Sequence, residues 1–368
     1  MNLRGTTVLF RVDSSLEIGT GHVMRCLTLA NALREKGVRC HFFGRTHPGH
    51  MLDVVESYGH EVTRRPVLGE LPDGREQVSL PHVGPLARGW EIDAGQTASV
   101  ADAVGADVLV VDHYAIDWRW EARLRRTNRR IFVIDDLADR EHDCDILLDQ
   151  NLGRRESDYS ALVPASCRLL VGPRYVLLRP EFAELRSESL ARRAHPHLTR
   201  ILVSLGGVDA PNATSAILIA LAKCSLPETV EIEVALGPQS PWIDHVREVA
   251  RGMPRRANVR VDVRNMARLM TDSDLAIGAA GSTSWERCCL GLPALMVVLA
   301  DNQLEAAKAL ERSGAARCLP LGDDLLPVLR EILERLVRDE QMLADMSASA
   351  QRIVDGNGVQ RVISELRA

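Results

Sequence analysis

The sequence predicts an α/β protein made of two Rossmann-like lobes, each built around a parallel sheet. Short β-rich runs alternate with helical segments along the whole chain, which is typical of parallel sheets. Each half begins with a strand that leads into a glycine-rich turn. A chain of 368 residues is also longer than one hydrophobic core usually serves. We therefore expect lobes at 1–185 and 186–368, with the terminal helix a candidate to pack back on the first lobe.

The composition excludes several classes of function. Hydrophobic residues make up 46% of the chain and charged residues 26%, as is ordinary for a globular protein. A net charge of -5 and only 4% aromatic residues argue against a nucleic-acid partner. The N-terminus lacks the long apolar region of a signal peptide, and the apolar run 290–300 is too short to cross a bilayer. We expect a cytoplasmic protein with no membrane partner.

The cysteines carry no metal-binding signature. They form no CxxC pair, and no cluster of cysteine and histidine has the spacing of a zinc site. We interpret them as small buried side chains in a reducing compartment. The acidic residues show no obvious metal-binding cluster either, so the sequence predicts neither a metal nor another cofactor.

The first half of the chain contains a clear series of strands around one helix. The predicted elements are a strand at 8–12, a helix at 22–36 capped by Gly37, and strands at 39–43, 108–111 and 131–134. Asp112, Asp135 and Asp136 follow the last two strands. Acids at the carboxyl ends of parallel strands face the ligand crevice, but they also commonly cap their own loops, and both interpretations stay open.

One long stretch of the first half is irregular. From Pro66 to Gln96 the chain is rich in glycine and proline and lacks clear periodicity. Such long loops are uncommon without a functional or flexible role. Trp90–Asp93 lie inside this stretch, and we expect them to fold over the site.

The second half repeats the alternation after a charged helix end and linker at 184–197. The predicted strands lie at 201–203, 230–235, 259–261, 275–278, 294–298 and 316–319. Helices are predicted at 212–223, around 242–251, at 266–270, from near 284 and 303, and at the end of the chain.

The first glycine-rich turn, from Gly19 to His22, lies between a strand and a helix, where ligand-binding turns occur. It is not a dinucleotide fingerprint, because Met24 stands where the third glycine would fall. The helix dipole disfavours a charged imidazole at His22, and a neutral histidine accepts a proton from water or a sugar hydroxyl. The alternative is a histidine that only caps the helix, pairing with Asp13 or the backbone. Arg25 either holds an acid or a phosphate, or forms a surface salt bridge.

The second glycine-rich turn, Gly206–Gly207, ends a strand and precedes a helix that starts near Asn212. Exposed amides and the helix dipole at such a turn suit a pyrophosphate. A tight turn without a ligand is the alternative.

Later loops carry further candidate ligand contacts. Ser282 and Thr283 open a helix, where they either cap it or bind phosphate oxygen. Glu286, one turn further, is suited to accept both hydroxyls of a ribose, or else it only stabilises the first helical turn. Asn302 and Gln303 open another helix. Because these loops follow the carboxyl ends of second-lobe strands, we expect them to converge on one ligand.

Several motifs together resemble a known family. They are GTGHVMRC at 19–26, IDDLADR at 134–140, LDQN at 148–151, SLGG at 204–207, NMARLM at 265–270, GSTSWERCCLGLP at 281–293 and ADNQ at 300–303. They resemble the UDP-2,4-diacetamido-2,4,6-trideoxy-β-L-altropyranose hydrolases of pseudaminic acid biosynthesis, over roughly the whole chain. These enzymes are similar in fold to the GT-B glycosyltransferases, notably the one that adds N-acetylglucosamine to lipid I.

The resemblance implies a GT-B arrangement with the active site in the cleft between the lobes. It implies that the second lobe binds UDP, while His22 of the first lobe activates water for an inverting, metal-independent hydrolysis. Asn212 and Glu286 are then expected to contact the nucleotide-sugar, with Met266 near uracil. The full set of expected substrate-binding residues is Asp13, Gly19, Gly21, Arg25, Gly206, Gly207, Asn212, Met266, Ser282, Thr283, Glu286, Asn302 and Gln303.

Two rival functions remain open from the sequence. A GT-B glycosyltransferase would pass the sugar to an alcohol or lipid, and the basic stretch Arg123–Arg130 is compatible with a membrane-bound acceptor. A non-catalytic sensor would bind a UDP-sugar without turning it over.

Overall fold

The computed structural model describes residues 4–68 and 86–367, which form two compact α/β units. The first unit contains residues 1–177 and 358–368, and the second contains residues 178–357. The predicted fold class of two Rossmann-like units is thus confirmed. The predicted boundary after residue 185 is wrong, because it falls inside the helix Pro180–Arg193, whose Phe182 and Ser189 are buried. That whole helix belongs to the second unit, so the boundary moves to Leu177–Leu178.

The first unit is a parallel sheet covered by helices. Its strands are β1 (Thr7–Val12), β2 (Arg39–Arg45), β3 (Glu61–Arg65), β4 (Val108–Asp112), β5 (Arg130–Ile134), β6 (Ile146–Asp149) and β7 (Arg168–Val171). Its helices are α1 (Gly21–Arg34), α2 (Leu52–Ser57), α3 (Leu86–Val104), α4 (Trp118–Leu124) and the C-terminal α13 (Gly358–Arg367). The apolar residues of α13 recur at the i, i+3, i+4 spacing of a helix face and join the same core as α1, which ties it to this unit.

The strand order of the first sheet creates a single topological switch point. The order is β3-β2-β1-β4-β5-β6-β7, with all neighbours parallel. The chain moves outward from β1 to β3 and then returns to β4 on the other side of β1. Ligands of open parallel sheets bind at the carboxyl ends of the strands at such a point. The last residues of the two strands, Val12 and Asp112, lie side by side there.

Helix α3 corrects the predicted long loop from Pro66 to Gln96. Residues 69–85 of that stretch lie outside the described residues, but Trp90–Asp93 are part of α3 and do not form a lid. The helix buries Ala94 and Ala101 in the core on one face of the sheet. Asp93 is also buried, where it pairs with arginines of the sheet. An acid on the buried face breaks the apolar periodicity, which is why the sequence did not predict this helix.

The second unit has the same topology. Its strands are β8 (Arg200–Ser204), β9 (Glu231–Leu236), β10 (Ala257–Val261), β11 (Leu275–Ala279), β12 (Ala294–Val297) and β13 (Ala316–Leu319). Its helices are α5 (Pro180–Arg193), α6 (Ala213–Ala222), α7 (Ile243–Arg251), α8 (Met266–Thr271), α9 (Thr283–Cys289), α10 (Leu304–Arg312), α11 (Leu325–Arg338) and α12 (Glu340–Gln351). The parallel order is β10-β9-β8-β11-β12-β13, so the switch point lies between β8 and β11. Within residues 4–68 and 86–367, none of the helices has both the length and the apolar character to cross a membrane.

Candidate active site

His22 lies in the first turn of α1 and pairs with a carboxylate of the neighbouring strand. Its Nδ1 is 2.6 Å from Oδ1 of Asp112, the last residue of β4. An ionised carboxylate only accepts hydrogen bonds, so Nδ1 donates to Asp112, and in the neutral form of the ring the lone pair lies on Nε2. In the described part of the chain nothing hydrogen-bonds Nε2, and the side chain retains 9% exposure. The alternative in which His22 pairs with Asp13 is wrong.

Arg25 also binds Asp112, and its Nη2 lies 3.2 Å from Nδ1 of His22. Its guanidinium binds both carboxylate oxygens of Asp112, with Nε at 2.6 Å from Oδ2 and Nη2 at 2.7 Å from Oδ1. Its Nη1 donates to Asp136 at 2.7 Å. Burial alone would raise the pKa of the Asp112 carboxyl, but the Arg25 charge and the hydrogen bonds from Arg25 and His22 outweigh burial and lower that pKa below its ordinary value. Arg25 is buried, so the surface salt bridge is excluded and its donors are committed to two acids.

Asp136 and Tyr114 form the rim of this cluster. The Tyr114 hydroxyl donates to Oδ2 of Asp136 at 3.2 Å, and the Tyr114 ring meets the His22 ring edge-on at a centroid distance of 4.6 Å. Asp136 remains partly exposed, unlike Asp112. The sequence did not point to Tyr114, although it lies two residues after Asp112, the last residue of β4.

The remaining acids of this edge have structural roles. Asp135 is buried and accepts the backbone amides of Leu137 and Ala138, so for this residue the loop-capping alternative is correct. The Tyr159 hydroxyl lies 2.9 Å from Asp135 and 2.8 Å from Asp149. Burial and, secondarily, the nearby Asp136 charge raise the pKa of Asp149 to about 7.

Asp13 does not lie where a ligand can reach its side chain, which corrects its expected substrate-binding role. The carboxylate is buried beside Arg11 at 2.9 Å and His113 at 3.3 Å, and it accepts the backbone amide of Arg45 at 2.8 Å. Arg11 is a fully buried cation within β1, and a buried charge needs a partner. Asp13 therefore supports the sheet edge. Gly19 has a φ of +80°, which favours glycine, and Gly21 begins α1.

In the second unit, the turn after β8 is exposed, but the following helix is already capped. Gly206, with a φ of +95°, and Gly207 both face solvent. The carboxylate of Asp209 accepts the amides of Ala213 at 2.9 Å and Thr214 at 2.8 Å. These are the first amides of α6, so the predicted anion site cannot use them. Asn212 adopts a left-handed conformation at the helix start.

Glu286 lies in α9 beside an arginine that the sequence did not indicate. Its Oε1 is 3.5 Å from Nη2 of Arg179, the residue before α5, and 16% of its side chain is exposed. Burial raises the pKa of the Glu286 carboxyl, while the Arg179 charge opposes that rise. Ser282 stands at the helix N-cap without a side-chain capping bond, and Thr283 begins the helix. Both hydroxyls thus remain candidates for phosphate oxygen.

The other predicted contacts lie at the same edge of the second sheet. Met266 is half-buried at the start of α8, after β10. Asn302 and Gln303 lie in a 3-10 turn after β12, and Gln303 accepts the amide of Leu299 at 3.1 Å through Oε1. The turns after β8 and β11 lie at this edge too. The structure therefore brings the expected substrate-binding residues of the second unit to the carboxyl edge of its sheet. Throughout residues 4–68 and 86–367, no group of three or more histidine, cysteine or acidic side chains is arranged to hold a metal.

Comparisons with known proteins extend this picture. Residues 245–365 match the model of the glycosyltransferase family 28 C-terminal domain. The chain is 26% identical over 298 residues to an uncharacterized protein of Methanocaldococcus jannaschii, covering 80% of this chain and 55% of that protein. It is 25% identical over 308 residues to the UDP-2,4-diacetamido-2,4,6-trideoxy-beta-L-altropyranose hydrolase of Campylobacter jejuni, covering 83% of this chain and 97% of the relative. The resemblance indicated by the motifs is thereby confirmed.

The fold is similar to that of MurG from Acinetobacter baumannii. The TM-score is 0.71 at 17% identity, over 98% of this chain and 99% of MurG. At this identity the similarity concerns the fold, and it confirms the GT-B class.

Proposed function

We propose that this chain, which has the GT-B fold and resembles the Campylobacter hydrolase, cleaves a UDP-deoxyaminosugar at its anomeric C–O bond. The products are UDP and a free 2,4-diacetamido-2,4,6-trideoxy sugar for a pseudaminic acid-type nonulosonic acid. The observation that carries the proposal is the His22–Asp112 pair, at 2.6 Å, with Nε2 of His22 left available. A hydrolase needs a base to activate water, and this pair supplies one.

The proposed reaction is a single displacement. Nε2 of His22 takes a proton from water while the water oxygen forms a bond to the anomeric carbon. The bond between that carbon and the β-phosphate oxygen breaks, and UDP leaves with the bonding electrons, so the anomeric centre inverts. Asp112 fixes Nδ1–H and stabilises the imidazolium that forms. General-base catalysis of this kind contributes about 10²–10⁴-fold to the rate.

We assign UDP to the carboxyl edge of the second sheet. Gly206, Gly207, Ser282 and Thr283 follow the two strands at its switch point, where open parallel sheets bind ligands. Glu286 is the candidate acceptor for the ribose hydroxyls. The similarity to the family 28 domain over 245–365 supports a nucleotide-sugar site in this unit.

A second candidate function is transfer of the sugar to an acceptor. The family 28 domain and the similarity to MurG favour it, because both are glycosyltransferase features. A sensor without turnover is the third possibility. The hydrolase, the transferase and the sensor differ in whether UDP is released and in whether its release needs a sugar acceptor.

The test is incubation of the purified protein with a panel of UDP-deoxyaminosugars without any acceptor, with UDP release followed by chromatography. We expect release of UDP and free sugar, also in excess EDTA, because we propose that no metal takes part. UDP release only after an acceptor is added would identify a transferase. Binding without release would identify a sensor, and rescue of EDTA-treated protein by Mg²⁺ would identify a metal requirement.

A further inference from the structure

A buried arginine that forms no ion pair among the described residues lies at the ends of β8 and β11, where we place UDP; the charge of the adjacent Glu286 favours its cationic form. Arg287 of α9 is 2% exposed. Its Nη2 donates to the Ala279 carbonyl at 2.7 Å and to Ser284 Oγ at 2.8 Å. Its buried Nε has no hydrogen-bond partner, and none of the ion pairs formed by the described residues includes Arg287. Burial lowers the pKa of Arg287 to about 10, so the guanidinium is still charged at neutral pH.

Other buried arginines of this protein are compensated. Arg11 and Arg25 each pair with two carboxylates. Arg193 has no carboxylate and its Nε also lacks a hydrogen-bond partner, but its guanidinium donates to the carbonyls of Ser189, Met270 and Ser273. Arg287 has one carbonyl and one hydroxyl. A buried charge with so little compensation is costly unless a ligand completes its environment.

The position of the guanidinium is fixed by two strand ends. Gly278 of β11 lies beside Ser204 of β8 across the switch point. A Cβ at Gly278 would lie 2.1 Å from Nη1 of Arg287 and 2.7 Å from the Ser204 carbonyl oxygen. Glycine at 278 therefore leaves the space that the guanidinium occupies. The cation lies at the strand ends that lead directly into the Gly206–Gly207 and Gly281–Ser282 turns.

The neighbouring helix does not provide the positive charge that a diphosphate needs. The first two amides of α6 bind the Asp209 carboxylate, at 2.9 and 2.8 Å. This carboxylate offsets the positive end of the helix dipole. Arg287 is a positive charge located at the two strand ends.

We propose that Arg287 is the buried countercharge for the diphosphate of the bound nucleotide, and that it favours departure of UDP by stabilising the charge that develops on it. The inference rests on the proposed placement of UDP at this edge. Arg287 is a positioning residue, because it acts across space and through the Ala279–Ser284 turn that it holds. A preorganised charge in a low-dielectric environment is effective over several ångströms.

If Arg287 is the countercharge, the affinity lost when Arg287 is replaced should increase with the negative charge of the ligand. We would measure binding of uridine, UMP and UDP by calorimetry to the wild-type chain, Arg287→Met and Arg287→Gln. Methionine replaces the buried cation with an apolar side chain of similar length, a change that proteins often tolerate. Arg335→Gln removes an exposed arginine of α11 and controls for net charge.

We expect Arg287→Met to leave uridine affinity within about twofold and to weaken UDP binding about tenfold or more, a change of ~1.4 kcal/mol. UMP should lie between them, and the control should match the wild type.

The outcomes are distinct. Equal weakening of uridine and UDP would reduce Arg287 to a structural residue, and unchanged UDP affinity would refute its electrostatic role. If one of the two Arg287 variants shows neither a thermal unfolding transition nor uridine binding, that variant has not folded, and the other Arg287 variant provides the result. A wild-type chain that binds no uridine nucleotide would refute the UDP site itself, and with it this inference. An intact dependence on ligand charge without sugar release would refute only the proposed hydrolysis.

Discussion

The function of His22 depends on the group that bonds its Nδ1. Asp112 accepts from that nitrogen at 2.6 Å, and Arg25 binds both oxygens of Asp112, so the carboxylate is ionised and fixed in orientation. This arrangement selects the tautomer whose Nε2 accepts a proton. Asp136 neutralises Arg25, which leaves the negative charge of Asp112 to stabilise an imidazolium.

Replacing either member of this pair should abolish most turnover. His22→Gln removes the base, and Asp112→Asn offers an amide N–H to Nδ1, which favours the tautomer that cannot accept a proton at Nε2. We expect both variants to lose about 10²-fold or more in kcat, the contribution of a general base. Their affinity for UDP should stay near that of the wild type, because UDP is assigned to the second unit.

His60→Gln is the matched control for these variants. His60 is a buried histidine of the same unit, bonded to Asn31 at 2.9 Å. Its replacement should leave kcat unchanged. A His22→Gln enzyme with near-normal kcat would remove His22 from the mechanism.

The sequence predicted the position of this site better than its internal contacts. His22 and the three acids were expected at the carboxyl edge of the first sheet because strand ends can be recognised locally. The pairing of His22 with Asp112 spans 90 residues, and no local spacing encodes it. Asp13 was expected to bind substrate, but its carboxylate forms an ion pair with Arg11. The sequence pattern did not reveal that Arg11 is buried inside a strand.

At the scale of elements, α3 is held to the sheet by a buried charge network. Asp93 accepts from Arg11 at 2.8 Å, from Arg45 at 2.6 Å and from the indole of Trp120 at 2.9 Å. Burial alone would raise the pKa of Asp93, but the two arginines lower it below its ordinary value. The same network made α3 hard to predict, since its inward face is partly acidic. Strands such as β4 and β5 were predicted because they are continuous apolar runs.

Asp93→Asn should destabilise the first unit by about 3–5 kcal/mol, the usual cost of breaking a buried ion pair. Urea unfolding followed by fluorescence would measure the change. Because the folded pKa of Asp93 is lowered, its stabilisation is present above the unfolded pKa of about 4 and is lost as pH falls through the folded value. The difference between wild type and variant should therefore shrink in acid.

Glu91→Gln is the control on the same helix. Glu91 is exposed and lies 3.7 Å from the exposed Arg123. We expect a loss of at most about 1 kcal/mol, as for other surface ion pairs. Equal effects of the two substitutions would contradict a structural role for the buried network.

At the scale of the whole molecule, two units of the same topology carry different chemistry at the same topological position. In the first unit the switch point between β1 and β4 carries His22 and Asp112. In the second, the switch point between β8 and β11 carries the exposed glycine turn and the buried Arg287. In the proposed mechanism, one unit offers a base for water and the other offers positive charge for a leaving diphosphate.

This division of roles specifies which bond breaks. We propose that a base in the first unit directs water at the anomeric carbon and that charge stabilisation in the second unit makes UDP the leaving group. Attack at carbon and attack at phosphorus give different products, because the second would yield UMP and a sugar phosphate.

Hydrolysis in water enriched with oxygen-18 tests this central claim most directly. Mass spectrometry of the products of a UDP-2,4-diacetamido-2,4,6-trideoxy sugar would locate the label. We predict one labelled oxygen in the free sugar, unlabelled UDP, and an initial NMR spectrum of the anomer opposite to that of the substrate. Label in a phosphate product would contradict the account, even if the fold and the UDP site were correct.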